Sequence, residues 1–236
     1  MASLLPVRYT KALGSVILAV LSLGAIAAET VQQEVVMLPK PRYESDVSLE
    51  QVLRARRSHR EFLPSALSLG QVGQLLWAAQ GVSSPEGGRT APSAGALYPL
   101  ETYLVAGKVE SLAAGVYRYD PAHHVLQPVA SGDRRAALAA AALGQEWVAS
   151  PPAVLVLTAV YRRTMVKYGE RGIRYVHMEA GHAAQNVALQ ATALGLGVVT
   201  VGAFSDADVK AVLGLDGSEE PLYLLPVGWP AGHGSL

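Results

Sequence analysis

Two stretches of the chain open with the same alternation of polar and apolar positions. Ser48-Leu49-Glu50-Gln51 sets a hydroxyl and an amide three residues apart, so each can satisfy a free amide at a helix start. Leu49, Val52 and Leu53 continue it as an apolar stripe. This predicts a helix from about 49 to 57 that ends in a basic cluster. Ser68-Leu69-Gly70-Gln71 repeats the signal. Val72, Leu75, Leu76 and Ala79 hold helical spacing, and Gly81 marks the end. Residues 81–100 then lose all period and fill with Gly, Pro, Ser and Ala, the mark of either a functional or a disordered loop.

Beyond that loop the pattern predicts strands at Thr102–Ala106 and Val116–Tyr119. A turn at Asp120-Pro121 leads into a third strand at Val125–Val129, making a hairpin. Asp133 opens an Ala-rich helix. Ala153–Val160 is an uninterrupted apolar run, as in a strand buried on both faces. The longest helical pattern covers about 173 to 194 and stops at Gly195 and Gly197. A strand is expected at Val198–Val201, a short helix with an acidic first turn from Ser205, and a last strand at Leu222–Val227. The early hairpin argues against a purely parallel sheet.

With 236 residues, half of them hydrophobic, the chain can bury one sizeable core. Its 19 basic and 19 acidic residues balance, which gives no electrostatic case for nucleic acid. The absence of Cys excludes disulfides and thiolate chemistry. Tyr outnumbers Phe by 10 to 2, which suits a ligand pocket, though an ordinary half-buried sheet accounts better for most of them.

Arg8 and Lys11 precede an apolar run from Ala12 to Ala27 that ends in Ala25-Ile26-Ala27, a small-x-small cleavage pattern. A membrane span needs about 20 residues, and this run is shorter. Residues 1–27 are therefore expected to be a signal peptide, cleaved after Ala27. The mature chain would be exported to the periplasm or the extracellular space, with no stable membrane insertion; an uncleaved N-terminal anchor is the alternative. Residues 28–47, with Pro39 and Pro41, form an extended lead-in, and 48–236 form the domain.

Four groups could carry chemistry. Arg56, Arg57, Ser58 and Arg60 offer guanidinium forks and a hydroxyl that suit a phosphate; the same residues could simply complement the negative end of a helix. The loop Arg89–Pro99, with Pro92, Ser93 and Ala94, has small residues that let backbone amides approach a flat ligand, or it is a surface loop. Lys167 and Tyr168 can both move protons. His177, Glu179, His182, Gln185 and Asn186 share the long helix. Glu179 and His182 form half of a di-iron motif without a second copy, so a buried polar network explains them better than a metal. No Gly-x-Gly-x-x-Gly, Walker loop or Gly-x-Ser-x-Gly elbow is present.

In this order, these pieces resemble the nitroreductase family, and within it the SagB/ThcOx-type dehydrogenase branch. The matching stretches are 56–62, 90–99, 167–175, 179–186 and 195–199, and the resemblance spans about residues 48–228. It implies an α+β, nitroreductase-like fold with a mixed, mainly antiparallel central sheet flanked by helices. It also implies a homodimer with FMN at the subunit interface.

Carried over by position, Arg56, Arg57, Ser58 and Arg60 would hold the FMN phosphate and ribityl chain. Pro92, Ser93 and Ala94 would line the ring from the other subunit. Gly202 and Ala203 would offer backbone at its reactive edge, and Lys167 and Tyr168 would be catalytic. Trp229 follows Pro226-Val227-Gly228 where many relatives carry Arg. The implied function is an FMN-dependent oxidoreductase that cycles hydride between two small substrates in two steps, with NAD(P)H as one donor option. The alternative is a flavin-binding or scavenging protein, or a degenerate fold, without turnover.

Overall fold

A computed structural model of the chain describes Met1 and residues 34–232. The apolar segment 12–27 and the cleavage point after Ala27 lie outside the described residues.

Seven strands form one sheet in the order β1-β4-β3-β2-β5-β7-β6, and every paired ladder is antiparallel. They are β1 (Val36–Met37), β2 (Leu100–Ala106), β3 (Gly115–Asp120), β4 (Val125–Ser131), β5 (Ala153–Ala159), β6 (Gly197–Val198) and β7 (Glu220–Gly228). Parallel pairing is confined to isolated bridges such as Ser58 with Val198. All seven residues of β5 are buried, as an apolar run without alternation requires. The expected hairpin is β3–β4, turned by Asp120, whose carboxylate accepts the Ala122 amide at 2.9 Å. The lead-in adds the two-residue strand β1 to β4.

Helices α1 (Leu49–Ala55), α2 (Leu69–Gln80), α3 (Arg135–Ala141), α4 (Glu146–Ala149), α5 (Arg162–Tyr168), α6 (Arg171–Ala193) and α7 (Asp206–Leu213) cover the two faces. Both capping boxes are formed. Ser48 and Ser68 each accept the amide of the Gln three residues on at 3.2 Å and give their own amide to its side chain. Leu75, Leu76, Val176, Ala183 and Val187 of α2 and α6 pack on one face of the sheet. Leu138, Val148, Val209 and Leu213 of α3, α4 and α7 pack on the other.

Three elements differ from expectation. Helix α1 ends at Ala55 rather than near 57, because Ser58 and His59 leave it to pair with Val198. The strand expected at 198–201 is a ladder at Gly197–Val198 followed by a single bridge at Val201. Its partner opposite Val199 is Pro226, which accepts the Val199 amide but has no N–H to return, so the ladder breaks there. Helix α5 was not foreseen. Only Thr164 of its seven residues is buried, so it has no apolar stripe to read.

Candidate active site

The basic cluster sits where the chain leaves α1 and meets the β6 edge. The His59 amide donates to the Val198 carbonyl at 3.0 Å. Gly197 makes this approach possible, since a β-carbon there would lie 2.8 Å from Cβ of His59. Burial lowers the pKa of His59, which disfavours charge on its ring.

The three arginines are not equivalent. Arg57 donates one nitrogen to the carbonyls of Arg54 and Arg56, at 2.9 and 2.8 Å, which is the helix-end role. Among the described residues, no carboxylate pairs with Arg56, Arg57 or Arg60. The Arg60 guanidinium lies 5.8 Å from the ring centre of Trp147. These two residues line a cavity of about 480 Å³, shared with Glu61 and Glu146. The Trp147 indole nitrogen is buried without a partner. The guanidinium groups of Arg56 and Arg60, without carboxylate partners among the described residues, are of the kind that suits a phosphate dianion.

From Val198 the chain runs beside β7 to Gly202. Four residues of extended chain cover about 13 Å. Gly202 and Ala203 are exposed, and the Gln145 side chain holds the Ala203 carbonyl at 2.8 Å. Gly202 opens on a second cavity, of about 360 Å³, with His177, Ala180 and Tyr223 in its wall. The cluster and the Gly202 backbone are therefore joined along the β6 edge. The sequence left Gln145 and Trp147 unmarked, because neither belongs to a pattern.

The loop before β2 forms a separate assembly. Ala94–Ala96 is a short 3-10 turn, and the Ser93 hydroxyl accepts the Tyr98 amide at 2.9 Å. Gly95, Ala96 and Tyr98 all have positive φ, at 63°, 55° and 45°. Two of the three carry side chains, so the turn holds backbone strain. A β-carbon on Gly95 would stand 2.8 Å from the Tyr168 hydroxyl and 3.0 Å from Nζ of Lys167. The end of α5 thus brings Lys167 and Tyr168 onto the Pro92–Ala94 loop, more than 70 residues away in sequence.

The loop is fastened from several sides. Arg89 lies over the Tyr98 ring at 4.4 Å and donates to Gln80 at 3.0 Å. Arg163 donates to the Tyr98 carbonyl at 3.2 Å, and Asn186 of α6 to the Thr90 carbonyl at 3.1 Å.

Glu179 of α6 closes this assembly from below. It is 2% exposed, and Oε1 has no hydrogen-bond partner. Burial pushes its pKa up to about 7, against the opposing pull of the Ser93 hydroxyl and the Arg89 charge. His182, three residues on, is exposed, so the two do not converge on a common point.

The expected site residues therefore fall into two groups. Arg56, Arg57, Ser58, Arg60, Gly202 and Ala203 make one; Pro92, Ser93, Ala94, Lys167 and Tyr168 make the other. Helix α6 touches both. His177 and Ala180 line the Gly202 cavity, and Glu179 lies by Ser93. Across the sheet, β2 and the Val201 segment are three strand spacings apart, about 14 Å.

Residues 53–229 match the profile of the nitroreductase family. The nitroreductase-like protein MJ1384 of Methanocaldococcus jannaschii is 48% identical over 183 residues, covering 78% of this chain and 91% of that one. The microcin B17-processing protein McbC of Escherichia coli is 33% identical, covering 70% of this chain and 67% of its own. A solved structure of a nitroreductase-like protein from Ralstonia eutropha JMP134 superposes with a TM-score of 0.76 at 33% identity, over 86% of this chain and 92% of that one.

Proposed function

The chain belongs to the nitroreductase family, on its SagB/ThcOx-type dehydrogenase branch with McbC, and from that premise we propose that it is an FMN-dependent oxidoreductase working as a homodimer. The observation that carries this reading is the separation of the site residues into two groups across the sheet. One chain offers a phosphate cluster and exposed backbone at Gly202, but keeps its Pro92–Ala94 loop before β2, three strand spacings away. A second copy related by a two-fold axis supplies the missing half.

Arg56, Ser58 and Arg60 bind the phosphate, and Arg57 shapes the turn while lending its free nitrogens. Gly202 and Ala203 present backbone groups to the ring edge. Pro92, Ser93 and Ala94 of the second copy cover the ring and exclude water. Lys167 and Tyr168, held at Gly95, hold and pass a proton at Nζ or the phenol oxygen. The chemistry that bound flavin supplies is hydride storage, in which one small substrate is oxidised and a second is then reduced, with NAD(P)H among the donors. The apolar segment at 12–27 directs export, so the enzyme works in the periplasm or outside the cell.

The test is the visible spectrum of the purified chain, followed by anaerobic titration with dithionite and NAD(P)H. A yellow dimer holding one FMN per chain, bleached by both reagents, is expected. A colourless chain that takes up no FMN overturns the reading.

A further inference from the structure

We propose that Gln145 is a positioning residue: it turns the peptide between Ala203 and Phe204 so that the Phe204 amide is offered to the flavin ring at the Gly202 cavity. The role toward the ring rests on the flavoenzyme reading above; the hydrogen bonds that hold the peptide do not.

The segment that leaves the β6 edge is pinned at both ends. Val201 and Leu224 exchange amide and carbonyl at 2.8 and 2.9 Å, and the Ser205 amide donates to the Ala141 carbonyl at 2.9 Å. Between these anchors, the amides of Gly202, Ala203 and Phe204 donate to none of the described residues. Gln145 holds the middle. Its side-chain nitrogen donates to the Ala142 carbonyl at 2.7 Å and to the Ala203 carbonyl at 2.8 Å. A side-chain amide has two N–H groups, and both are spent here. Two carbonyl acceptors take the nitrogen end of that amide and refuse the oxygen end, so its orientation is fixed.

The peptide bond converts this grip into a direction. The Ala203 carbonyl and the Phe204 N–H lie in one trans plane and point opposite ways. With the carbonyl turned toward Gln145, the amide turns away from it. Gly202 and Phe204 both line the cavity of about 360 Å³. An N–H presented to a flavin edge there favours the reduced, electron-rich ring over the oxidised one. Without Gln145 the carbonyl is released and the peptide can rotate, which puts an oxygen where the N–H stood. Gln145 itself is well seated. It opens α4, whose Val148 is fully buried, and the Gly144 amide before it donates to the Ala139 carbonyl at 2.9 Å.

The experiment measures the midpoint potential of bound FMN, and the affinity for oxidised FMN, in the wild-type holoprotein and in Gln145→Leu. The substitution keeps most of the bulk and removes both donors. Affinity for oxidised FMN should stay within about threefold of wild type, while the ratio of reduced to oxidised affinity falls about tenfold, the worth of roughly one hydrogen bond. For a two-electron couple that ratio lowers the potential by about 30 mV. In the wild type, solvent exchange of the Phe204 amide, followed by NMR, should slow roughly tenfold when FMN is added.

Equal potentials in a yellow wild type and a yellow variant overturn the proposal and leave the enzyme reading intact. Loss of affinity for both redox states alike, with the potential unmoved, marks a merely structural residue and also overturns it. So does a Phe204 amide that exchanges as fast with FMN as without it, a result that needs no variant to fold. A wild type that takes up no FMN overturns both readings.

Discussion

The backbone of Gly95 lies against the hydroxyl of Tyr168, leaving only 2.8 Å for a β-carbon that glycine does not have. The contact joins the loop before β2 to the last turn of α5. Gly95→Ala would strike both Tyr168 and Lys167, and would place a side chain at φ 63°, where an L-residue costs about 1–2 kcal/mol. The flexible ends of Lys167 and Tyr168 would move aside. Turnover should fall at least tenfold while FMN retention changes little, as steady-state rates and flavin content would record. Unchanged turnover would separate the pair from the chemistry.

The basic cluster divides by role. Arg60 has no carbonyl or carboxylate partner among the described residues, whereas Arg57 already bonds the carbonyls of Arg54 and Arg56. Arg60→Ala should weaken FMN binding by roughly tenfold to a hundredfold, the value of a charge-assisted hydrogen bond. Arg57→Ala should weaken it less and should cost about 1 kcal/mol of stability through the loosened helix end. Fluorescence titration with FMN and urea unfolding would distinguish the two. Equal loss of affinity in both variants would contradict the division.

Gly197 supports the cluster from behind. Gly197→Ala would set a β-carbon 2.8 Å from Cβ of His59, an atom next to the backbone that cannot swing away. The Ser58–Val198 bridge would have to open. Overpacking of this kind costs about 1–3 kcal/mol, and FMN affinity should fall with it. A variant with wild-type melting temperature and affinity would show that this edge is slack.

Glu179 also leaves a mark on stability. Its folded pKa of about 7 lies above the ordinary carboxyl value of 4.5, so the folded chain holds the proton more tightly than the unfolded one. Its contribution is fully present below the ordinary value. It is lost as pH rises toward 7, at no more than about 1.4 kcal/mol for each unit by which the pKa is raised. Urea midpoints of wild type should fall over that window, and those of Glu179→Gln should fall much less. Parallel curves would contradict the buried, proton-holding state.

Much of the fold could be read from the chain because its signals are local. Ser48 and Ser68 carry their caps within three residues, and β5 declares its burial by containing no charge. What escaped depends on distant partners. Pro226 interrupts the strand after Val198 from across the sheet, and α5 buries only Thr164. The same holds in the site. Arg56–Arg60 and the Pro92 loop stand out by composition. The meeting of Gly95 with Tyr168, the ring of Trp147 near Arg60 and the grip of Gln145 on Ala203 are products of the fold. Glu179 stood out only as one polar residue on a long helix. Its burial against Ser93 is what makes it exceptional.

The separation of the two groups has a genetic consequence. If each site takes Arg60 from one chain and Lys167 from the other, a damaged chain is not the unit of failure. A cell carrying two alleles, one with Arg60→Ala and one with Lys167→Ala, would assemble mixed pairs. In each mixed pair both lesions fall on one site and the other site is whole. Two inactive alleles would then complement each other, whereas a chain carrying both lesions would damage both sites of every wild-type partner it met.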